Sequence, residues 1–221
     1  MSFELESKKR ILVITAVAVE KEAVLRGFHN DSRIDVLAAG VGPVAAAANT
    51  ARVLATTKYD LVVSAGIGGG FPGKAEVGSA VVASEIIGAD LGVETAEGFS
   101  SLDELGFGCT RIPVDINLSN LLAGALSAAG LEVNIGPVLT VSTVTGTATS
   151  AAELAARIPG AAAEAMEGYG VALAAHQSGV PILELRAISN LVGPRDRTAW
   201  RIKEALDVLE AASSVLLEVL L

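Results

Sequence analysis

Cysteine is nearly missing from this sequence. Cys109 is the single one in 221 residues, so the chain can build neither an internal disulfide frame nor a thiolate metal cluster. Histidine is almost as scarce. His29 and His176 stand alone, outside any HExxH or Cys/His pattern, which removes the common zinc sites. No GxSxG occurs, so an α/β serine hydrolase is excluded as well. Positive charge is short: 16 basic residues face 25 acidic ones, for a net −9, and a nucleic-acid surface needs a basic footprint. A small anionic substrate needs only one well-placed Arg and stays possible.

Long apolar runs are also absent. The longest uncharged stretch, Val133–Ala152, holds seven Ser or Thr residues together with Gly136, Pro137 and Gly146, and reads as strand, loop and helix cap rather than a membrane span. The opening MSFELESKKR followed by ILVITAVAVE superficially resembles a leader. Glu4 and Glu6 precede the bases, however, and Glu20, Lys21 and Glu22 fall where a cleavage site belongs, so a buried first strand is the better reading. A cytoplasmic protein is expected.

What the sequence does have is Ala, Gly and short β-branched runs, in a chain long enough to bury about 70% of its unfolded surface. Ile11–Ala16, Ile34–Ala39, Leu61–Ala65, Val77–Ile87, Glu132–Val144 and Ile182–Ile188 read as strands. Between them, helical spacing runs over Val19–Phe28, Pro43–Thr57, Asn117–Ala129, Ala165–Ser178 and Ala199–Val219. Ser150-x-x-Glu153 matches a capping box and places a further helix over Ala151–Ile158. The Gly88–Asp115 stretch is a loop with short pieces of structure. Strands alternate with helices without linker or repeat, which predicts one α/β domain of three layers, helix–sheet–helix.

Two glycine signals need separate treatment. Gly40-Val41-Gly42-Pro43-Val44-Ala45 satisfies the dinucleotide-binding pattern, but it follows the second strand, and no acidic residue ends the next one. It reads as a tight turn with Pro43 opening a helix. Gly66-Ile67-Gly68-Gly69-Gly70 ends an apolar strand, where backbone amides can approach a ligand at the edge that open α/β sheets use for binding. A purely structural turn is the other reading. No GK[ST] follows, so a triphosphate loop is excluded.

Three carboxylates fall in apolar surroundings: Glu20 after the first strand, Glu167 in Ala165-Met166-Glu167-Gly168, and Glu184 within a buried strand two residues from Arg186. Buried acids are rare unless paired or functional. Glu184 reads as an ion-pair partner, while Glu20 and Glu167 are either solvated or working groups.

The order of pieces carries a resemblance. Thr15–Glu20 (T-A-x-x-x-E), Gly66–Gly69 (G-I-G-G), Lys74–Ser79 (K-A-E-V-G-S), Ala165–Gly168 (A-M-E-G) and Arg186–Asn190 (R-A-I-S-N) together resemble the nucleoside phosphorylase/nucleosidase superfamily over essentially the whole chain, nearest the branch of 5′-methylthioadenosine/S-adenosylhomocysteine nucleosidase. The segment Ile188–Asp196 with Trp200 is similar to the futalosine-hydrolysing members of that branch, which release hypoxanthine on a menaquinone pathway.

The resemblance implies a three-layer α/β/α sandwich with a central, largely parallel mixed sheet, as a single domain over residues 1–221. It also implies hydrolysis of a purine nucleoside by water, no metal and no cofactor, and a homodimer or higher homo-oligomer. By the same resemblance Glu20 orients and deprotonates water, Glu167 accepts hydrogen bonds from the ribose hydroxyls, and Asn190 stands where adenine-specific relatives carry an Asp. Gly66, Gly68 and Gly69 line the water and ribose side, Thr143 and Val144 fall near the base, and Met166 precedes the ribose-binding Glu. Arg186 organises nearby carboxylates. Asn190 suits a 6-oxopurine, since an amide donates to N7 or O6, but it cannot release a proton; Asp196 or a water is the remaining source. Arg195 and Arg197 are candidates for a 5′ carboxylate, and Glu97–Arg111, with Phe99 and Phe107, for an apolar lid. A phosphorylase, an adenine-specific nucleosidase and a nucleoside-binding protein are the competing readings.

Overall fold

The computed structural model describes residues 9–220; Glu4 and Glu6, which weigh against a leader, lie outside them. The first strand, β1 (Ile11–Thr15), is buried along its whole length and lies between two parallel neighbours, β2 (Ile34–Ala38) and β3 (Leu61–Gly70). Its side chains alternate between two cores, as the two-residue period of a strand requires. Ile11 and Val13 pack with Val24, Leu122 and Leu209 of α1 (Ala18–Gly27), α4 (Ile116–Ala128) and α7 (Ile202–Leu220). Leu12 and Ile14 pack on the opposite face with Ala46 of α2 (Pro43–Leu54) and with Val171 and Ala175 of α6 (Gly168–Gln177). Helices on both faces of a mixed, largely parallel sheet give the three layers.

The sheet also folds back on itself. β3 runs parallel to β10 (Ile182–Leu191) along nearly its full length. β10 pairs antiparallel with β4 (Ala80–Gly88), β4 parallel with β8 (Val133–Thr140), and β8 parallel with the three-residue β9 (Ala163–Ala165). β9 then returns antiparallel to Gly69 and Gly70 of β3. These five strands close a ring, with β1 and β2 extending from the first half of β3. A hairpin of β5 (Gly92–Thr95) and β6 (Gly98–Ser101), the short α3 (Leu102–Leu105) and β7 (Arg111–Pro113) fill the region between β4 and α4.

Several boundaries differ from the sequence reading, each for a local reason. The Gly66–Gly70 run is not a loop after the third strand; it is the second half of β3. A Cβ at Gly68 would lie 2.8 Å from the Glu164 carbonyl oxygen, so glycine there lets β3 and β9 approach. α5 (Ala148–Arg157) begins a turn earlier than the Ser150 box implies, because Thr147 is its cap and accepts from the Ser150 amide at 3.1 Å. The helix expected from Ala165 starts at Gly168, Ala165 itself being drawn into β9 and Met166 and Glu167 linking the two. The last helix starts at Ile202, after a 3₁₀ turn over Arg197–Ala199 that Asp196 caps.

Candidate active site

A cavity of about 360 Å³ opens where β1, β3, β9 and β10 end, and Glu20, Glu167 and Asn190 line it together with Gly68, Gly69, Val144 and Met166. Three segments far apart in sequence therefore meet at one place.

Glu20 is in the first turn of α1, and the abrupt strand-to-helix turn of Thr15–Glu20 lets its side chain reach back to the turn. One carboxylate oxygen accepts from the Ala16 and Val17 amides at 2.9 and 3.1 Å, and the other from the Ile67 amide at 2.9 Å. Three backbone donors fix a side chain that is only 3% exposed. Gly66 makes this possible: a Cβ there would lie 2.8 Å from Glu20 Oε1 and 2.9 Å from Arg186 Nη1. Gly66 itself does not line the cavity; it makes room behind it.

Glu167 is the residue before α6, not one inside a helix. Its Oε1 accepts from the Gly42 amide at 3.1 Å, and its Oε2 faces Arg186 Nη1 at 3.4 Å. The Gly40–Ala45 turn thus serves the site through its backbone. Gly42, at φ +95°, adopts a backbone that L side chains rarely tolerate and aims its N–H at Glu167, and the neighbouring Val41 lines the cavity.

Arg186 lies behind the cavity wall, 1% exposed, and ties the carboxylates together. Its Nε donates to Glu184 Oε1 at 2.8 Å and its Nη2 to Ser64 Oγ at 2.9 Å. Burial works against the guanidinium charge, but Glu184, Glu167 and Glu20 outweigh it and hold the group above its usual range. Glu184 is wholly buried. Burial pushes its carboxyl up against the opposing pull of Arg186, and its Oε2 has no hydrogen-bond partner among the described residues.

A bulge re-aims the end of β10. Ile188 pairs with Gly68 and Asn190 with Gly69, so Ser189 is the extra residue and both Ser189 and Asn190 face the cavity. Ser189 Oγ donates to Asn190 Oδ1 at 2.9 Å, which fixes the amide with its NH₂ as the available donor. Among the described residues that NH₂ donates to the carbonyl of Leu191 alone, at 3.0 Å.

The remaining sequence candidates are not in the lining. Thr143 lies outside it, although its neighbours Val144 and Thr145 belong to it. Asp196 lines an adjoining cavity and is exposed; the hydroxyl and amide of Thr198 hold its carboxyl below the usual range, which makes it a poor proton donor at neutral pH. Arg195 stacks over the ring of Trp200, 5.3 Å from its centre, and Trp200 lines the cavity. Phe99 packs against Arg157 and lines a separate cavity of about 180 Å³, while Phe107 is 81% exposed, so neither covers the site as a lid within this chain.

One lining carboxylate escaped the sequence reading. Glu164 on β9 is 4% exposed and accepts from the Thr145 amide at 2.9 Å and from the Thr145 hydroxyl. Burial pushes its carboxyl up, with Thr145 pulling the other way. The only trace in the sequence is an acid in an Ala run, Ala161–Ala165, where no helical or strand period marks it.

The family model of the phosphorylase superfamily matches residues 4–221. Futalosine hydrolase of Streptomyces coelicolor is 53% identical over 231 aligned positions, covering 95% of this chain and 96% of that protein. Futalosine hydrolase of Acidothermus cellulolyticus is 47% identical, covering 93% and 89%. Among solved structures, the 5′-methylthioadenosine/S-adenosylhomocysteine nucleosidase of Neisseria meningitidis, in complex with methylthio-immucillin-A, superposes with a TM-score of 0.81 at 23% identity over 96% of this chain and 98% of that one.

Proposed function

The chain belongs to the phosphorylase superfamily, and on that premise we propose that it is an N-glycosyl hydrolase. It cleaves futalosine to hypoxanthine and dehypoxanthine futalosine, a step of menaquinone biosynthesis. The observation that carries this reading is the cavity itself: two buried carboxylates, Glu20 and Glu167, share it with an amide, Asn190, whose NH₂ is the available donor.

In this reading Glu167 accepts from the ribose hydroxyls, and Glu20 holds water against the face of C1′ opposite the purine. As the C1′–N9 bond breaks, positive charge develops on C1′ and the ring oxygen, and the two carboxylates favour it. Water forms the new C1′–O bond and gives its proton to Glu20. Asn190 donates to N7 or O6 and stabilises the electron pair that leaves with the base. It has no proton to release, and Asp196 is held ionised, so the proton that completes hypoxanthine comes from solvent. Arg195, laid over Trp200, is the cation for the carboxylate on the 5′ substituent. Gly68, Gly69, Val144 and Met166 supply the walls, and Gly66 and Arg186 act from behind.

Hydrolysis is favoured over phosphorolysis because, among the described residues, the lining of the cavity holds neither Lys nor Arg, and the nearest guanidinium is already committed to carboxylates. A phosphate co-substrate requires cationic groups there. We place the enzyme in the cytoplasm as a single domain over residues 1–221 and as a homodimer. Among the described residues no helix is long and apolar enough to cross a membrane. Exposed Phe107, Ile116 and Leu121 offer apolar contacts for a second copy.

The test is a chromatographic assay with futalosine, inosine and methylthioadenosine, each with and without phosphate. Phosphate-independent release of hypoxanthine from futalosine, with the other two poor, is the expected result. A sugar phosphate product, or preferred release of adenine, overturns it.

A further inference from the structure

The buried carboxylate of Glu164 has no part in the chemistry above, yet it lines the same cavity. Its place in the sheet explains what it faces. Gly69 of β3 pairs with Asn190 of β10 on one side and with Glu164 of β9 on the other, so the three residues form a single row across three strands. Directly paired residues point to the same face, and adjacent strands lie about 4.8 Å apart. Asn190 and Glu164 therefore flank a glycine floor with their Cα atoms about 10 Å apart. A side chain on Gly69 would fill that floor: its Cβ would lie 3.0 Å from Val192 Cγ2 and 3.3 Å from Asn190 Nδ2. The row leaves a slot for a flat ring, with an amide donor on one rim and a carboxylate acceptor on the other.

Resting on the proposed hydrolysis of a 6-oxopurine nucleoside, we infer that Glu164 is a specificity-determining residue, accepting the N1–H of the purine while Asn190 donates to its N7 or O6. The chemistry on the rims is complementary to that edge. A 6-oxopurine presents, in order, an acceptor at N7, an acceptor at O6 and a donor at N1. A 6-aminopurine presents an acceptor, a donor and an acceptor, so its N1 lone pair meets the carboxylate. Thr145 gives one hydrogen bond to each Glu164 oxygen and so fixes the carboxylate as an acceptor, while a carboxylate oxygen has a second lone pair free for the ligand. Anchoring the Thr145 segment alone would not require the acid to border the cavity. A site whose polar groups are matched to one edge rejects a mismatched analogue strongly, because both partners are left unpaired.

Product binding tests this without turnover. Calorimetric titration of the wild-type protein with hypoxanthine, 1-methylhypoxanthine and adenine should show the last two at least tenfold weaker, since methylation removes the N1 donor. In Glu164→Gln, hypoxanthine should weaken at least tenfold while adenine stays within about twofold or tightens, because an amide can turn its NH₂ toward an acceptor at N1. Equal binding of hypoxanthine and 1-methylhypoxanthine by the wild type overturns the assignment whether or not the variant folds. So does a Glu164→Gln protein that weakens hypoxanthine and adenine by the same factor, the outcome of a purely structural role. Failure of the wild type to bind any purine refutes the proposed function, and this inference with it. Tight hypoxanthine binding with unchanged discrimination refutes the inference alone.

Discussion

Replacing Gly168 with Ala should destabilise the protein, against the ordinary rule for helices. Gly168 opens α6 with no positive φ, and Ala in a helix is normally better than Gly by about 1 kcal/mol. Here a Cβ would fall 2.5 Å from the Glu184 carboxyl carbon and closer still to both of its oxygens. The carboxylate cannot move outward, since Glu184 has no exposed surface and is held to Arg186 Nε at 2.8 Å. Either the helix shifts or the ion pair parts. Parting a buried pair costs about 3–5 kcal/mol because an uncompensated charge is left behind. Setting the helix-propensity gain against that leaves about 2–4 kcal/mol of net destabilisation. For a chain of this size it lowers Tm by on the order of 10 °C.

Urea unfolding of four proteins gives the decisive assay: wild type, Gly168→Ala, Glu184→Ala and the double variant. If the clash with Glu184 is the cause, Gly168→Ala should become neutral or slightly stabilising once Glu184 is truncated, with a coupling of about 2 kcal/mol or more. A Gly168→Ala protein as stable as the wild type would refute the reasoning. So would an equal cost in both backgrounds, since the penalty would then lie elsewhere.

Other consequences follow from the same geometry. Glu20→Gln keeps the shape of the side chain but removes the base, so steady-state kinetics with futalosine should show kcat reduced by roughly 10²–10⁴ with little change in KM; a retained kcat rejects the assignment. Asn190→Asp should lower kcat/KM for futalosine at least tenfold and raise activity on its 6-amino analogue, and an unchanged ratio between the two substrates counts against the role of the amide. Tyr59 lies far from the site and reports on stability at high pH. Burial and its bond to Asp35 push its phenol up to about 12 from 10, so the folded state keeps the proton longer than the unfolded one. That contribution is complete below pH 10 and is lost as the pH rises toward 12. A Tyr59→Phe variant should lack this loss in alkaline unfolding curves, and curves parallel to the wild type's would show that the phenol is not responsible.

How much of this was legible in the sequence depends on the range of the interactions. β1 and the helices of both outer layers could be read because apolar periodicity is local and strong. Glu20 and Glu167 could be singled out because an acid in an apolar stretch needs a reason, although only the fold reveals which amides hold them. The glycines were legible in part: Gly68 and Gly69 line the cavity, and Gly66 stands behind it. Gly66 and Gly68 are required by what packs against them, a carboxylate and guanidinium in one case and the β9 backbone in the other, and no local rule separates that need from a ligand cradle. β9 has three residues with two alanines, so it carries no β signature, and the acid between them shared its invisibility. The Ser150 box failed because a threonine one turn earlier competes for the same helix and wins.

The buried charges show why these pieces must occur together. Glu20 and Glu167 are proposed to work as anions, and both side chains are buried, where a charge needs a partner. Arg186 supplies the positive charge beside them, but its long side chain must itself be held off the cavity. Glu184 does so from behind, at full burial and with one oxygen left unpartnered, which is a poor bargain for stability alone. Gly66 and Gly168 clear the volume that this stack of charges occupies, the first against Glu20 and Arg186 and the second against Glu184. The glycines, the buried Arg and the seemingly idle acid are therefore one device. Its result is a pair of carboxylates fixed before substrate arrives, so their alignment adds no reorganisation to the reaction barrier.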